Sequence, residues 1–194
     1  MTKTDHYHHG ALREALLDSA MRAIESDGLE RLSLRDLAGT IGVSKTAPYR
    51  HFASKRALLE AIAAEGFRLL AADLERSEEP GPGTADRLGT IARSYIDFAR
   101  SRPALYRLMF SKLGYSLESE ACRLNSGRAF GVLVRAVDAR MSTGWRSVEN
   151  QEAVILSVWA LVHGWAGLLI DGLLPRQIPA AEERWAEMVQ AFLS

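Results

Sequence analysis

Lys45, Arg50, Lys55 and Arg56 fall in a thirteen-residue stretch from Ser44 to Arg56 that contains no acidic residue, with Thr46, Tyr49 and His51 interleaved. Cations at this density neutralise phosphates, and hydroxyl and imidazole groups suit phosphate oxygens and base edges. The chain as a whole carries 24 basic and 24 acidic side chains. A basic strip on a neutral protein points to a local polyanion site, not to diffuse charge. The chemistry expected here is recognition of nucleic acid without bond making. There is no nucleophile elbow, phosphate-binding loop or set of paired zinc ligands, so an enzyme is not expected. Nothing demands a cofactor or a metal. The histidines in HYHHG at 6–10 are weak ligands without a fixed geometry, and read better as an arm near DNA phosphates or as a frayed end.

The elements that position this strip are legible around it. Ser33 can cap a helix, with Asp36 three residues on to complete a capping box. Leu34, Leu37, Ala38 and Ile41 then share one face. Gly42 stands where a left-handed residue ends a helix, and Val43 plugs the turn. Ser44 can cap a second helix with its body at Lys45 to Phe52, and Ser54 a third. This is a helix-turn-helix whose second helix is basic, an arrangement that puts a few side chains in a major groove.

The stretch LSLRDLAGTIGVSKTAPYRHFASKRALL, preceded by YHHGALREALLDSAMRAIESDG, resembles the TetR family of bacterial transcriptional regulators. That resemblance implies a two-fold symmetric dimer that binds a palindromic operator, represses transcription, and is released by a small molecule. Tyr49, His51 and Lys55 match positions that contact the DNA backbone. Arg35, Lys45, Thr46 and Arg50 match positions that reach base edges, and Ser44 and Ala47 complete the DNA-facing set. Pro48 departs from the family, which more often has an aliphatic residue there. PALYRLMF at 103–110 and WALVHGWAGLLIDG at 159–172 resemble a subgroup of effector domains with a Trp-x-x-x-His-Gly signature, matched by Trp159, His163 and Gly164.

The remainder reads as an all-α second domain. Composition is that of a globular protein, 47% hydrophobic and 25% charged, and the single cysteine, Cys122, excludes an intramolecular disulfide. With no secretory signal visible, a cytoplasmic location is expected. Apolar periodicity predicts helices at about 11–27, 54–77, 84–100, 103–113, 118–141, 147–172 and 179–193, with a Pro/Gly break at 78–84. The expected division is a DNA-binding domain over 1–56 and an effector-binding and dimerisation domain over 57–194. The apolar segment 153–174 contains His163, Ser157 and Asp171 and reads as a bundle or dimer helix, not a membrane span. Val154, Ile155, Val158, Trp159, Leu161 and Val162, with Trp185, Met188, Val189 and Phe192, are expected to build a four-helix homodimer interface. A mostly apolar pocket for a small hydrophobic effector is expected among Tyr95, Phe98, Tyr106, Met109, Phe110, Cys122, Asn125, Phe130, Trp159 and His163. Taken singly, each of these residues reads better as ordinary core packing; that some of them line a pocket is what the family resemblance implies. The rival from another class is an enzyme, and a second rival is a helical interaction module without DNA binding.

Overall fold

The computed structural model describes residues 4–78, 87–112, 119–142, 150–178, 180, 184–185, 187–188 and 191, and the side chains among these from residue 11 onward. The described residues form α-helices and one 3-10 helix, with no strand among them. The α-helices are α1 (Thr4–Asp27), α2 (Leu34–Thr40), α3 (Lys55–Ser77), α4 (Arg87–Ser101), α5 (Pro103–Met109), α6 (Glu120–Met141) and α7 (Gln151–Ile170), and the 3-10 helix is Ala47–Arg50. Residues 79–84 of the expected break and most of the helix expected at 179–193 lie outside the described residues.

Two compact units divide the chain. One comprises 1–66 with 104–124, the other 67–103 with 125–194. In the first, α1 packs on α2, and α2 on the 3-10 helix. Leu16, Ala20 and Ile24 of α1, Leu34, Leu37 and Ala38 of α2, and Leu58 and Ile62 of α3 are buried. Each such large aliphatic group contributes up to about 1.5–3 kcal/mol by leaving water. Glycine sets two of the bends: α1 ends at Gly28 with φ +82°, and α2 is followed by Gly42 with φ +72°.

The expected capping box does not form. Ser33 has extended backbone, and its side chain makes no capping hydrogen bond. The second helix is also shorter than expected. It is one 3-10 turn over Ala47–Arg50, with Thr46 and not Ser44 at the position before its first residue and no side-chain capping bond there. Pro48 supplies the reason: it has no N–H to extend a helix backwards, so the chain tightens into i→i+3 bonds around it. Tyr49 N donates to Thr46 O at 3.2 Å and His51 N to Pro48 O at 3.0 Å. Ser54 does cap α3, its Oγ accepting from Ala57 N at 3.1 Å.

In the second unit α4 and α7 pack together. Leu88, Ile91, Ala92, Tyr95, Ile96 and Ala99 make the buried stripe of α4, at helical spacing. Val154, Ile155, Val158, Val162 and Ala166 make that of α7. Four of these α7 residues were expected to face a partner subunit. They are occupied within the chain because a single stripe at i, i+4, i+8 already serves the core. Leu156, Trp159 and Leu168 are the exposed large apolar groups of the helix. The end of α3 is tied to α6 by two forked ion pairs. Arg128 donates to Glu75 at 3.0 and 2.8 Å, and Arg135 to Glu78 at 3.1 and 2.6 Å. Both are part-exposed, so each is worth about 0.2–1 kcal/mol and acts mainly on register.

Candidate functional site

Leu34, Leu37 and Ala38 anchor one side of the helix-turn-helix, and Pro48 and Phe52 the other. The guanidinium of Arg13 on α1 lies over the Phe52 ring, 5.4 Å from its centroid. These buried anchors force the remaining side chains of the motif outward. Arg35, Ser44, Lys45, Thr46, Tyr49, Arg50 and Lys55 are exposed, and Ala47 and His51 are half-buried. Tyr49, at 47% exposure, is a large aromatic standing in solvent, its hydroxyl and ring available to an external partner.

Several of these groups are held before any ligand arrives. Ser44 Oγ and Thr46 Oγ1 are hydrogen-bonded to each other at 3.3 Å, with either hydroxyl able to donate. The Ala47 N–H donates to Ser44 O at 2.9 Å. Lys55 Nζ donates to Glu30 O at 3.0 Å, which fixes one end of the motif to the connection between α1 and α2. An ammonium has three protons, so Lys55 still has donors for a phosphate oxygen. Arg56 pairs instead with Glu60 at 3.0 Å, one turn along α3. The geometry can engage a polyanion through Lys45, Arg50 and Lys55, with Thr46 and Tyr49 between them.

The ten residues expected at the effector site divide between the two compact units. Tyr95, Phe98, Asn125, Phe130, Trp159 and His163 belong to the second, and Tyr106, Met109, Phe110 and Cys122 to the first. In the second unit a connected polar-aromatic array spans α4, α6 and α7. Tyr95 Oη lies 2.9 Å from His163 Nδ1. The Trp159 ring stacks on the His163 imidazole, centroids 5.5 Å apart, and meets Phe130 edge-on at 6.4 Å. Tyr95 is buried while Phe130 and Trp159 are each 40% exposed, so the array runs from the interior to the surface. Burial pushes His163 below the usual imidazole value of 6.5. It is therefore neutral at physiological pH, able to accept from the tyrosine hydroxyl.

Other members of the set have packing partners. Phe98 is buried beneath the Arg102 guanidinium, 5.0 Å from the ring centroid. Tyr106 and Phe110 pack as tilted rings 4.9 Å apart. Cys122 is buried, its thiol donating to Glu60 O at 3.5 Å. Sequence reading missed Trp165, whose buried Nε1 has no hydrogen-bond partner among the described residues. Its spacing on α7 carried no signal separating it from the core.

Comparison with known proteins places these features in one family. A profile for bacterial regulatory proteins of the tetR family matches residues 16–62. A profile for the tetracyclin repressor-like C-terminal domain matches residues 88–192, more than half of the chain. Nucleoid occlusion factor SlmA of Haemophilus influenzae is 30% identical over 115 residues, which are 59% of this chain and 51% of that protein. The chain thus spans about half the length of the curated relatives it matches. A solved protein of unknown function from Rhodococcus sp. RHA1 is 32% identical, with a TM-score of 0.81 over 96% of this chain and 95% of that one. A TetR variant of Acinetobacter baumannii AYE in complex with minocycline shares the fold, with a TM-score of 0.61 over 92% of each chain at 20% identity. With the N-terminal helix-turn-helix region and the C-terminal domain both matched, the chain belongs to the TetR family of non-enzymatic, DNA-binding transcription regulators.

Proposed function

We propose that this regulator is a cytoplasmic homodimeric repressor that binds a palindromic operator and is released by a small hydrophobic molecule. The observation that carries the reading is the solvent-facing set Arg35, Lys45, Thr46, Tyr49, Arg50 and Lys55, projected by a buried helix-turn-helix core. Each subunit inserts the segment around 44–51 into one major groove. Arg35, Lys45, Thr46 and Arg50 read base edges; Tyr49, His51 and Lys55 grip the backbone, and Ser44 and Ala47 line the contact. DNA binding lies within 1–56, and effector binding and dimerisation within 57–194.

The dimer reading is supported by α7. By length and composition this helix could cross a membrane, and only 28% of its apolar window is buried inside the chain. A second copy covering the rest accounts for that face in a DNA-binding protein. The effector reading is supported by the Tyr95–His163–Trp159–Phe130 array, which offers aromatic surface with a few fixed polar atoms. Phe98 and Asn125 lie in the same compact unit as this array and belong to the proposed set, whereas Tyr106, Met109, Phe110 and Cys122 belong to the other unit. Release then follows from differential affinity, the effector binding better to the form that binds DNA poorly.

Incubation of the purified chain with sheared genomic DNA from its host, followed by recovery and sequencing of bound fragments, tests the reading. A shared palindrome among the fragments supports it and marks the regulated genes. A folded, dimeric protein that enriches no site at moderate salt overturns it in favour of an interaction module.

A further inference from the structure

Glu25 lies in the last turn of α1, and its carboxylate reaches across 79 and 80 residues of sequence to the start of α5. Its Oε2 accepts from Ala104 N at 3.1 Å and its Oε1 from Leu105 N at 2.9 Å. The first residue of α5 is Pro103, which has no N–H, so these are the first two main-chain donors that α5 presents. They have no partner within the helix. Glu25 is exposed, and water would satisfy the same donors in its absence. The contact therefore fixes where α5 sits without being needed for α5 to be a helix.

The same short helix is gripped from α3. A Cβ added at Gly66 would lie 2.6 Å from Met109 Sδ, 2.8 Å from Met109 Cγ and 3.0 Å from Leu105 Cδ1. Only the absence of a side chain at 66 allows this approach. Leu105, Leu108 and Met109 are buried. By sequence α5 belongs to the region matched as the tetracyclin repressor-like C-terminal domain, 88–192, yet 104–124 is compact with 1–66. It is a piece of effector-domain sequence seated in the DNA-binding unit.

We propose that Glu25 is a positioning residue for operator binding: by holding the main chain of α5 at Ala104 and Leu105, it fixes the end of α1, and through α1 the α2 and 47–50 elements that meet DNA. The inference rests on the regulator reading above. Motion imposed on α5 by an effector reaches α1 through this carboxylate. By reciprocity, DNA that fixes α1 steadies the two amides.

The test uses the full chain, the operator fragment recovered from genomic DNA, and the variants Glu25→Gln and Glu25→Ala. Glutamine keeps one acceptor oxygen; alanine keeps none. Operator affinity is expected to fall in the order Glu, Gln, Ala, with alanine at least about fivefold weaker, the low end of ordinary coupling. Melting temperatures stay close to that of the parent. Hydrogen exchange at Ala104 and Leu105 in the parent slows when operator is added, and this slowing is lost in Glu25→Ala. A purely structural contact would give equal exchange with and without DNA. That result, or operator binding by Glu25→Ala as tight as the parent's, overturns the proposal. Should the alanine variant not fold, the glutamine variant carries the same comparison. If the parent chain itself enriches no operator, the regulator reading falls and takes this inference with it. If the parent binds and the amides do not respond, only the role of Glu25 falls.

Discussion

The His163 ring is oriented by a tyrosine hydroxyl at 2.9 Å and a tryptophan ring stacked at 5.5 Å. Because burial lowers its proton affinity below the ordinary 6.5, the unfolded chain binds more protons here than the folded one as the pH drops past that value. Stability from this group is complete above about pH 6.5 and is lost as the pH falls through the lower folded value. Urea unfolding at about pH 7.5 and pH 5.5 should show the loss, and His163→Gln, which cannot be charged, should reduce it. An equal loss in the variant would assign the effect elsewhere. Lys55 gives a second residue-scale prediction. Lys55→Ala removes a phosphate donor and the tie to Glu30 O. Operator affinity should weaken, and the dependence of log affinity on log salt should become shallower by roughly one unit per subunit. An unchanged slope would mean that the ammonium serves only its intramolecular carbonyl. The basic strip and its aromatic neighbours were legible from residue types alone, since charge density needs no fold to be seen. The Tyr95–His163 bond was not, because 68 residues separate its partners and nothing local records the pairing.

Helices were legible where apolar spacing repeats over several turns, as in α3, expected to end near residue 77 and observed at Lys55–Ser77. Short elements depended on single residues whose effects compete. Serine and aspartate at 33 and 36 have capping-box spacing, but spacing does not direct a side chain towards an amide, and Ser33 caps nothing. Pro48 shortened the basic helix to one 3-10 turn, a consequence of its missing N–H that spacing alone does not weigh. Ser54 reads correctly because its hydroxyl meets Ala57 N at 3.1 Å. Ser54→Ala should therefore cost about 1 kcal/mol, measured by denaturant midpoint, and a cost near zero would show water replacing the cap. Gly66→Ala sets two magnitudes against each other. Alanine in a helix gains up to about 1 kcal/mol over glycine, while forcing a methyl group into a packed core costs about 1–3 kcal/mol. Met109 Sδ at 2.6 Å from the new carbon is buried and must move. The net expectation is a loss of up to about 2 kcal/mol, and a rise in melting temperature would show that the methionine swings aside freely.

At the scale of the whole molecule, α7 has two faces doing different work. Val154, Ile155, Val158, Val162 and Ala166 are buried within the chain. Leu156, at 56% exposure, and Leu168, at 42%, face outward, and Ala153, Ser157, Ala160 and Gly164 are exposed beside them. Those four fall at intervals of four, three and four residues, a repeat that keeps one seam facing a partner helix. A Cβ at Gly164 would meet nothing within 4 Å, so the close approach such small residues permit is unused within one chain. Hydrophobic count alone could not divide the helix into these faces, because all the large apolar residues read alike until α4 claims one stripe. If a second copy covers the outer face, Leu156→Glu combined with Leu168→Glu should place two carboxylates per subunit in that contact without touching the inner core. Sedimentation should then report a monomer with helical content and a melting transition retained. Operator affinity should fall steeply, since two half-sites no longer bind as one linked unit. A doubly substituted chain that still sediments as a dimer would put the contact on another surface and leave the outer face of α7 to a different partner.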